Sequence, residues 1–157
     1  MPAWYGWPVR FAKEIVVTRP PERVWTFLWD VERVARCLPG CEDARTVVPQ
    51  QRYSAVVGER VGPFKVRFPL DIDVLEVEEP RRLKAQAAGR DSAVGSSLRV
   101  TIELLLEPHD QGSVIRIVSD ATVLGKLGTL GMGIIQRKAD QIMEGFAAAM
   151  RQAMESG

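Results

Sequence analysis

Phe64-Lys65-Val66-Arg67-Phe68-Pro69-Leu70-Asp71-Ile72-Asp73-Val74 sets an apolar residue at every second position. A repeat of two puts Phe64, Val66, Phe68, Leu70, Ile72 and Val74 on one face of a strand, so one face is buried and the other is wet. Pro69 lacks a ladder donor, which predicts an edge or a bulge there, and the change of phase at Leu75 is a second bulge candidate. Leu98, Val100, Ile102, Leu104 and Leu106 alternate in the same way with Arg99, Thr101, Glu103 and Glu107.

Around these two long strands the spacing predicts further strands over Ala44 to Val48, Tyr53 to Val61, Leu83 to Arg90 and Val114 to Val123. Turn signals at Pro49-Gln50-Gln51, Gly62-Pro63, Glu79-Pro80 and Asp110-Gln111-Gly112 separate them. Links this short make an antiparallel meander, because parallel pairing needs helical crossovers. Upstream, β-branched Ile15, Val16 and Val17 predict a first strand from Val9 to Thr18, stopped by Arg19-Pro20-Pro21. The proline pair then starts a helix whose stripe is Val24, Trp25, Phe27 and Leu28, and Asp30 caps a second from Val31 to Cys37, ended by Pro39-Gly40. From about Leu127 the period becomes helical, with Leu130, Ile134, Ile135, Ile142, Phe146 and Met150 on one stripe. Its start holds four glycines between Gly125 and Gly133, each costing about 0.8 to 1 kcal/mol relative to Ala if helical. That turn is expected to be loose, or glycine is needed there for close approach. The predicted class is α+β: a curved antiparallel sheet wrapped around one long C-terminal helix, with two short helices after the first strand. One domain over residues 9–157 follows an aromatic arm over residues 1–8.

The chain has 157 residues, with 21 Lys+Arg against 20 Asp+Glu. A near-neutral balance with no basic block argues against a nucleic-acid partner, which requires a positive face to displace counterions. No apolar run is long enough to span a bilayer, and Met1 to Pro8 does not read as a secretory signal, so a cytoplasmic location is expected. Cys37, Cys41 and the lone His109 do not supply four zinc ligands, so neither metal nor cofactor is expected. His109 lies among turn-formers and is expected to be an exposed turn residue.

Several motifs carry a family resemblance in the right order. Pro21-Glu22-Arg23-Val24-Trp25-Thr26-Phe27-Leu28-Trp29-Asp30 is followed by Cys37-Leu38-Pro39-Gly40-Cys41, then Val61-Gly62-Pro63-Phe64-Lys65 and Gly125-Lys126-Leu127. From Phe11 to Met150 the chain resembles the CoxG-like family, named for the CoxG subunit of carbon monoxide dehydrogenase, within the START-like, helix-grip (SRPBCC) superfamily. The resemblance implies a helix-grip fold with an apolar cavity between sheet and long helix. It also implies an accessory role for a molybdenum hydroxylase, in maturation or membrane recruitment, with a quinone-like or lipid-like ligand. The chain stops soon after the long helix, without the apolar tail many members carry, so only weak peripheral contact with the inner face of the membrane is expected.

Parity sends Phe64, Val66, Phe68, Leu70, Ile72, Leu98, Val100, Ile102, Leu104, Ile115 and Ile117 inward, joined by Leu130, Ile134 and Ile142 from the helix. The expected ligand-binding set is Leu38 at the rim, Tyr53, Val57, Glu59, Phe64, Val66, Phe68, Leu70, Val100, Ile102, Leu104, Ile117, Leu130 and Ile134. An empty apolar void of ~300 Å³ would cost ~7 kcal/mol, so something must occupy or collapse it. Core packing alone is the competing reading of these residues. Glu59 shares the inward parity: it either meets a ligand hydroxyl or acts as a general acid, or it reaches water at the strand end. Ser119, the other polar residue in phase, has no base beside it and is not a nucleophile. No catalytic residue is expected. The alternative is a START-like enzyme, cyclase or hydrolase in type, built on Glu59 and Tyr53. All four tryptophans, Trp4, Trp7, Trp25 and Trp29, lie in the first 29 residues. The arm carrying the first two either packs back or anchors at a lipid interface.

Overall fold

The structure, a computed structural model, describes residues 7–156. Strand β1 (Trp7–Val17) leads into helices α1 (Pro21–Leu28) and α2 (Val31–Cys37). Strands β2 (Cys41–Val48), β3 (Arg52–Val61), β4 (Phe64–Glu78), β5 (Arg82–Asp91), β6 (Ser96–His109) and β7 (Gly112–Gly125) follow, then a 3-10 turn over Lys126–Leu130 and helix α3 (Met132–Ser156). The described strands form one antiparallel sheet in the order β1-β7-β6-β5-β4-β3-β2. Helix α3 reaches both β1 and β3, near opposite edges, because the sheet curves around it. This is the curved antiparallel sheet around one long helix that the alternation predicts, and the helix-grip fold that the family resemblance implies.

Local chemistry accounts for the elements. Pro21 opens α1, where a missing N–H removes no helical bond. The Asp30 carboxylate accepts from the Arg33 N–H at 3.4 Å and caps α2. Trp25 and Trp29, one turn apart, meet edge to face at 5.9 Å between ring centroids. Ladder register slips between Val74 and Glu76, so the bulge expected at Leu75 is present. Gly125 and Gly131 take φ of 83° and 90°, which breaks the helical run between them and leaves a 3-10 turn where a continuous helix from Leu127 is expected. His109 is exposed, but it ends β6 opposite Gly112 rather than lying in the turn.

Pro69 requires a correction: β4 lies between β3 and β5, and the proline is at neither an edge nor a bulge. The Arg67 N–H donates to the β5 side, to Asp91 Oδ2 at 2.7 Å. Amides two residues apart point the same way, so Pro69 turns its missing donor toward β5. The β4–β5 ladder ends one residue later in register, at Leu70↔Gly89. Proline therefore stands where two strands part, and Asp91 replaces one lost rung by accepting from Arg67 while also accepting the Val94 N–H of its own turn at 3.1 Å.

Candidate functional site

Two apolar clusters lie between sheet and α3. The first joins Ile15, Val17, Val24, Trp25, Phe27, Leu104, Leu106, Ile115 and Ile117 to Ala147, Met150 and Met154 of α3. The second, at the glycine-rich end, joins Val9, Val61, Val66, Phe68, Leu70, Ala121 and Val123 to Leu127 and Ile135. Across the middle the inward positions are small: Ala55 on β3, Ala85, Ala87 and Gly89 on β5, Ser119 and Ala121 on β7. Beside them Ile72, Leu98, Val100 and Ile102 face inward on the sheet's inner strands yet are only half-buried. The middle of the inner face is thus lined by small side chains, beside larger ones that retain exposure.

The expected binding residues divide among these regions. Val57, Phe64, Val66, Phe68, Leu70, Val100 and Leu130 gather at the glycine-rich end, whereas Ile102, Leu104 and Ile117 belong to the other cluster. Tyr53 is buried and in phase with Ile72, its partner on β4. Leu38 is half-buried in the turn joining α2 to β2, where the Cys41 N–H donates to its carbonyl at 3.1 Å. That turn leans on α3: a Cβ at Gly145 would lie 3.0 Å from Pro39 Cγ. Ile134 is a correction, being 39% exposed, with its neighbour Ile135 buried in its place. Adjacent helical residues stand about 100° apart, so α3, which buries Ile135, Ala147, Met150 and Met154, turns Ile134 to the other side.

Glu59 does point inward, opposite Val66, and its carboxylate lies 3.4 Å from Lys138 Nζ of α3. Tyr53 stands six residues away on the same strand, about 20 Å along an extended chain, with its hydroxyl accepting from the Gln50 N–H at 2.7 Å. These two groups are not brought together. Ser119 is buried and donates to the Thr101 carbonyl at 3.2 Å. Burial pushes both thiols up from their ordinary range, with Glu42 adding to the effect at Cys41, so neither is an activated nucleophile. Among the described residues no three His, Cys, Asp or Glu side chains cluster to hold a metal.

Where β4 and β5 part, a cleft of about 860 Å³ opens, lined by Glu42, Gly58, Glu59, Arg60, Lys65, Val66, Arg67, Pro69, Arg90, Asp91, Ser92 and Ala93. Val66 and Glu59 reach it from the inner face, and Arg60, Lys65 and Arg67 from the outer. Of the expected binding residues Glu59 and Val66 reach this cleft; its basic residues were missed, although the Gly62-Pro63 turn fixes the register that sets Arg60 opposite Lys65.

The family model for CoxG of carbon monoxide dehydrogenase matches residues 14–155. The chain belongs to the CoxG family. As a CoxG-family member it shares its fold with solved structures far removed in sequence. A conserved protein from Geobacillus kaustophilus superposes with a TM-score of 0.77 at 16% identity, covering 94% of this chain and 95% of that one. A START superfamily protein from Mycobacterium smegmatis gives 0.69 at 11% identity, over 92% and 96% of the two chains. A protein from Chromobacterium violaceum gives 0.68 at 16%, over 94% and 98%. No curated protein matches the sequence. Among the described residues no helix is long and apolar enough to cross a membrane.

Proposed function

We infer that this CoxG-family chain is a non-enzymatic accessory protein that carries a hydrophobic small molecule, quinone-like or lipid-like, between the sheet and α3. Its service is to a molybdenum-containing hydroxylase of the carbon monoxide dehydrogenase type, in maturation or recruitment at the inner face of the membrane. The observation that carries the reading is exposure left on the inner face: Ile72, Val100 and Ile102, inward on inner strands beside small residues, are only half-buried, and we read the space over them as a hollow that a bound apolar molecule fills. Family membership supports the accessory role. The dispersal of Glu59 and Tyr53 weighs against a START-like enzyme built on that pair.

Thermal and chemical denaturation of delipidated protein with added quinones and lipids tests this. At one hundred times its dissociation constant the ligand adds about 2.7 kcal/mol of stability. Ala87→Leu, which fills the hollow between Ile72 and Val100, should abolish that gain while costing ~1 to 3 kcal/mol from overpacking. A melting temperature unmoved by every quinone and lipid would overturn the carrier reading.

A further inference from the structure

Most arginines on the outer sheet surface are paired: Arg10 with Asp120, Arg52 with Asp73, Arg82 with Glu76, Glu78 and Glu103, and Arg116 with Glu14 and Glu107. Arg45 and Arg99 stand singly without a carboxylate among the described residues, whereas the cleft between β4 and β5 gathers several such cations in one place. Arg60 and Lys65 stand directly opposite each other across β3 and β4, both outward and exposed, and neither meets a carboxylate among the described residues. Like charges in facing positions repel and destabilise the strand pair. Arg90 lines the same cleft from the β5 side, also without a carboxylate among the described residues. The acids present are already engaged: Glu42 holds Arg67 at 3.0 Å, Glu59 holds Lys138, and Asp91 accepts two backbone amides that keep its carboxyl below the ordinary range. Lys65, two residues before Arg67, turns its own N–H to the same side, past the end of the β4–β5 ladder.

We propose that this cleft is a binding site for a phosphate-type oxyanion, held between Arg60 and Lys65 on one wall and Arg90 on the other. A guanidinium fork matches two oxygens of such an anion, an ammonium adds a point charge, and the free amide adds a donor. The bound charge removes the Arg60–Lys65 repulsion, so the fold that tolerates the pair when empty is relieved when it is filled. The shared chemistry has two sources, a free phosphate compound and a phospholipid headgroup. The cleft shares Glu59 and Val66 with the inward set, but its three cations belong to the outer face, so the site does not depend on what the hollow carries.

The test compares the full chain with Arg60→Gln/Lys65→Gln, and with Arg45→Gln as a control at an exposed cation outside the cleft. Inorganic phosphate and pyrophosphate are titrated by calorimetry at fixed ionic strength, and co-sedimentation is measured with phosphatidylcholine vesicles with and without phosphatidylglycerol. Wild type and the control should bind, and the double variant should lose about tenfold or more in affinity, the weight of one charge-assisted contact. Its melting temperature without anion should be no lower than wild type. Loss of the phosphate response identifies a free phosphate compound as the source, and loss of vesicle binding alone identifies a headgroup. Absence of both in wild type overturns the proposal, as does a control variant that loses as much as the double variant.

Discussion

The two ends of α3 are held differently. At the C-terminal end Met150 is fully enclosed with Ile15 and Ile115, and polar ties bind the helix to what surrounds it. Arg151 Nε donates to the Val16 carbonyl, an Arg19 N–H to the Glu155 carbonyl, the Thr18 N–H to the Glu155 carboxylate, and an Arg33 N–H to the Ala153 carbonyl. At the N-terminal end the helix follows a 3-10 turn and Gly131, its neighbours Phe64, Leu98, Val100 and Leu130 are only half-buried, and Lys138–Glu59 is the ion pair to the sheet among the described residues. Lys13 and Glu144 pair between the two ends. One end is a finished core. The other is built from the same residue types without being closed, and that contrast separates structural anchorage from space left for something else.

The contrast breaks most visibly at the closed end. Met150→Ala should cost ~2 to 5 kcal/mol in urea denaturation, because the enclosed site cannot collapse. Leu130→Ala, at the open end, should cost about 1 kcal/mol or less, since a half-buried side chain forfeits part of its transfer energy only. Equal losses would erase the distinction.

Asp91→Asn sharpens the comparison at the strand parting beside the open end. Removing the carboxylate that accepts from Arg67 and Val94 should cost about 1 to 3 kcal/mol at neutral pH. Hydrogen bonds from those amides hold the folded carboxyl below its ordinary value, so the unfolded chain binds the proton more readily. Stability from Asp91 is therefore present above about pH 4 and lost as pH falls through the folded value. The variant should show a flatter acid limb in stability measured against pH.

Glu59→Gln should cost up to ~1 kcal/mol, because the Lys138 pair is partly solvated, and should leave accessory activity nearly intact. A loss of activity by about 10² or more with ligand binding preserved would instead indicate general acid–base work. Ile134→Ala is the smallest effect, within about 0.5 kcal/mol, since the side chain faces water.

The strands, both short helices and the long helix were legible from alternation, prolines and the Asp30 cap, because period and turn chemistry are local. The inward set on β4, β6 and β7 followed from parity for the same reason. What sequence does not encode locally is where two strands stop pairing. Pro69 announced a missing donor, but its placement depended on β5 bending away and on Asp91 returning to the Arg67 amide. Ile134 failed because it and Ile135 cannot both sit on one narrow stripe: at about 3.6 residues per turn Ile134 lies about 160° around the helix from Met150 and Ile135 only about 60°. The small residues of Ala85-Gln86-Ala87-Ala88-Gly89 were in view, yet their meaning needed Ile72 and Val100 on either side.

In sheet order every strand neighbours its successor except β1, which pairs with β7. The meander from β2 to β7 can therefore zip as successive hairpins while the chain emerges from the ribosome. About a hundred residues separate β1 from its partner. At about 5 to 20 residues per second, β1, α1 and α2 wait roughly 5 to 20 s before β7 exists, and longer before α3 does. The tightest part of the mature protein is the last to be assembled. Until β6, β7 and then α3 emerge, Ile15, Val17, Trp25 and Phe27 lack most of the residues they bury against, and they are the segment a nascent-chain chaperone would hold.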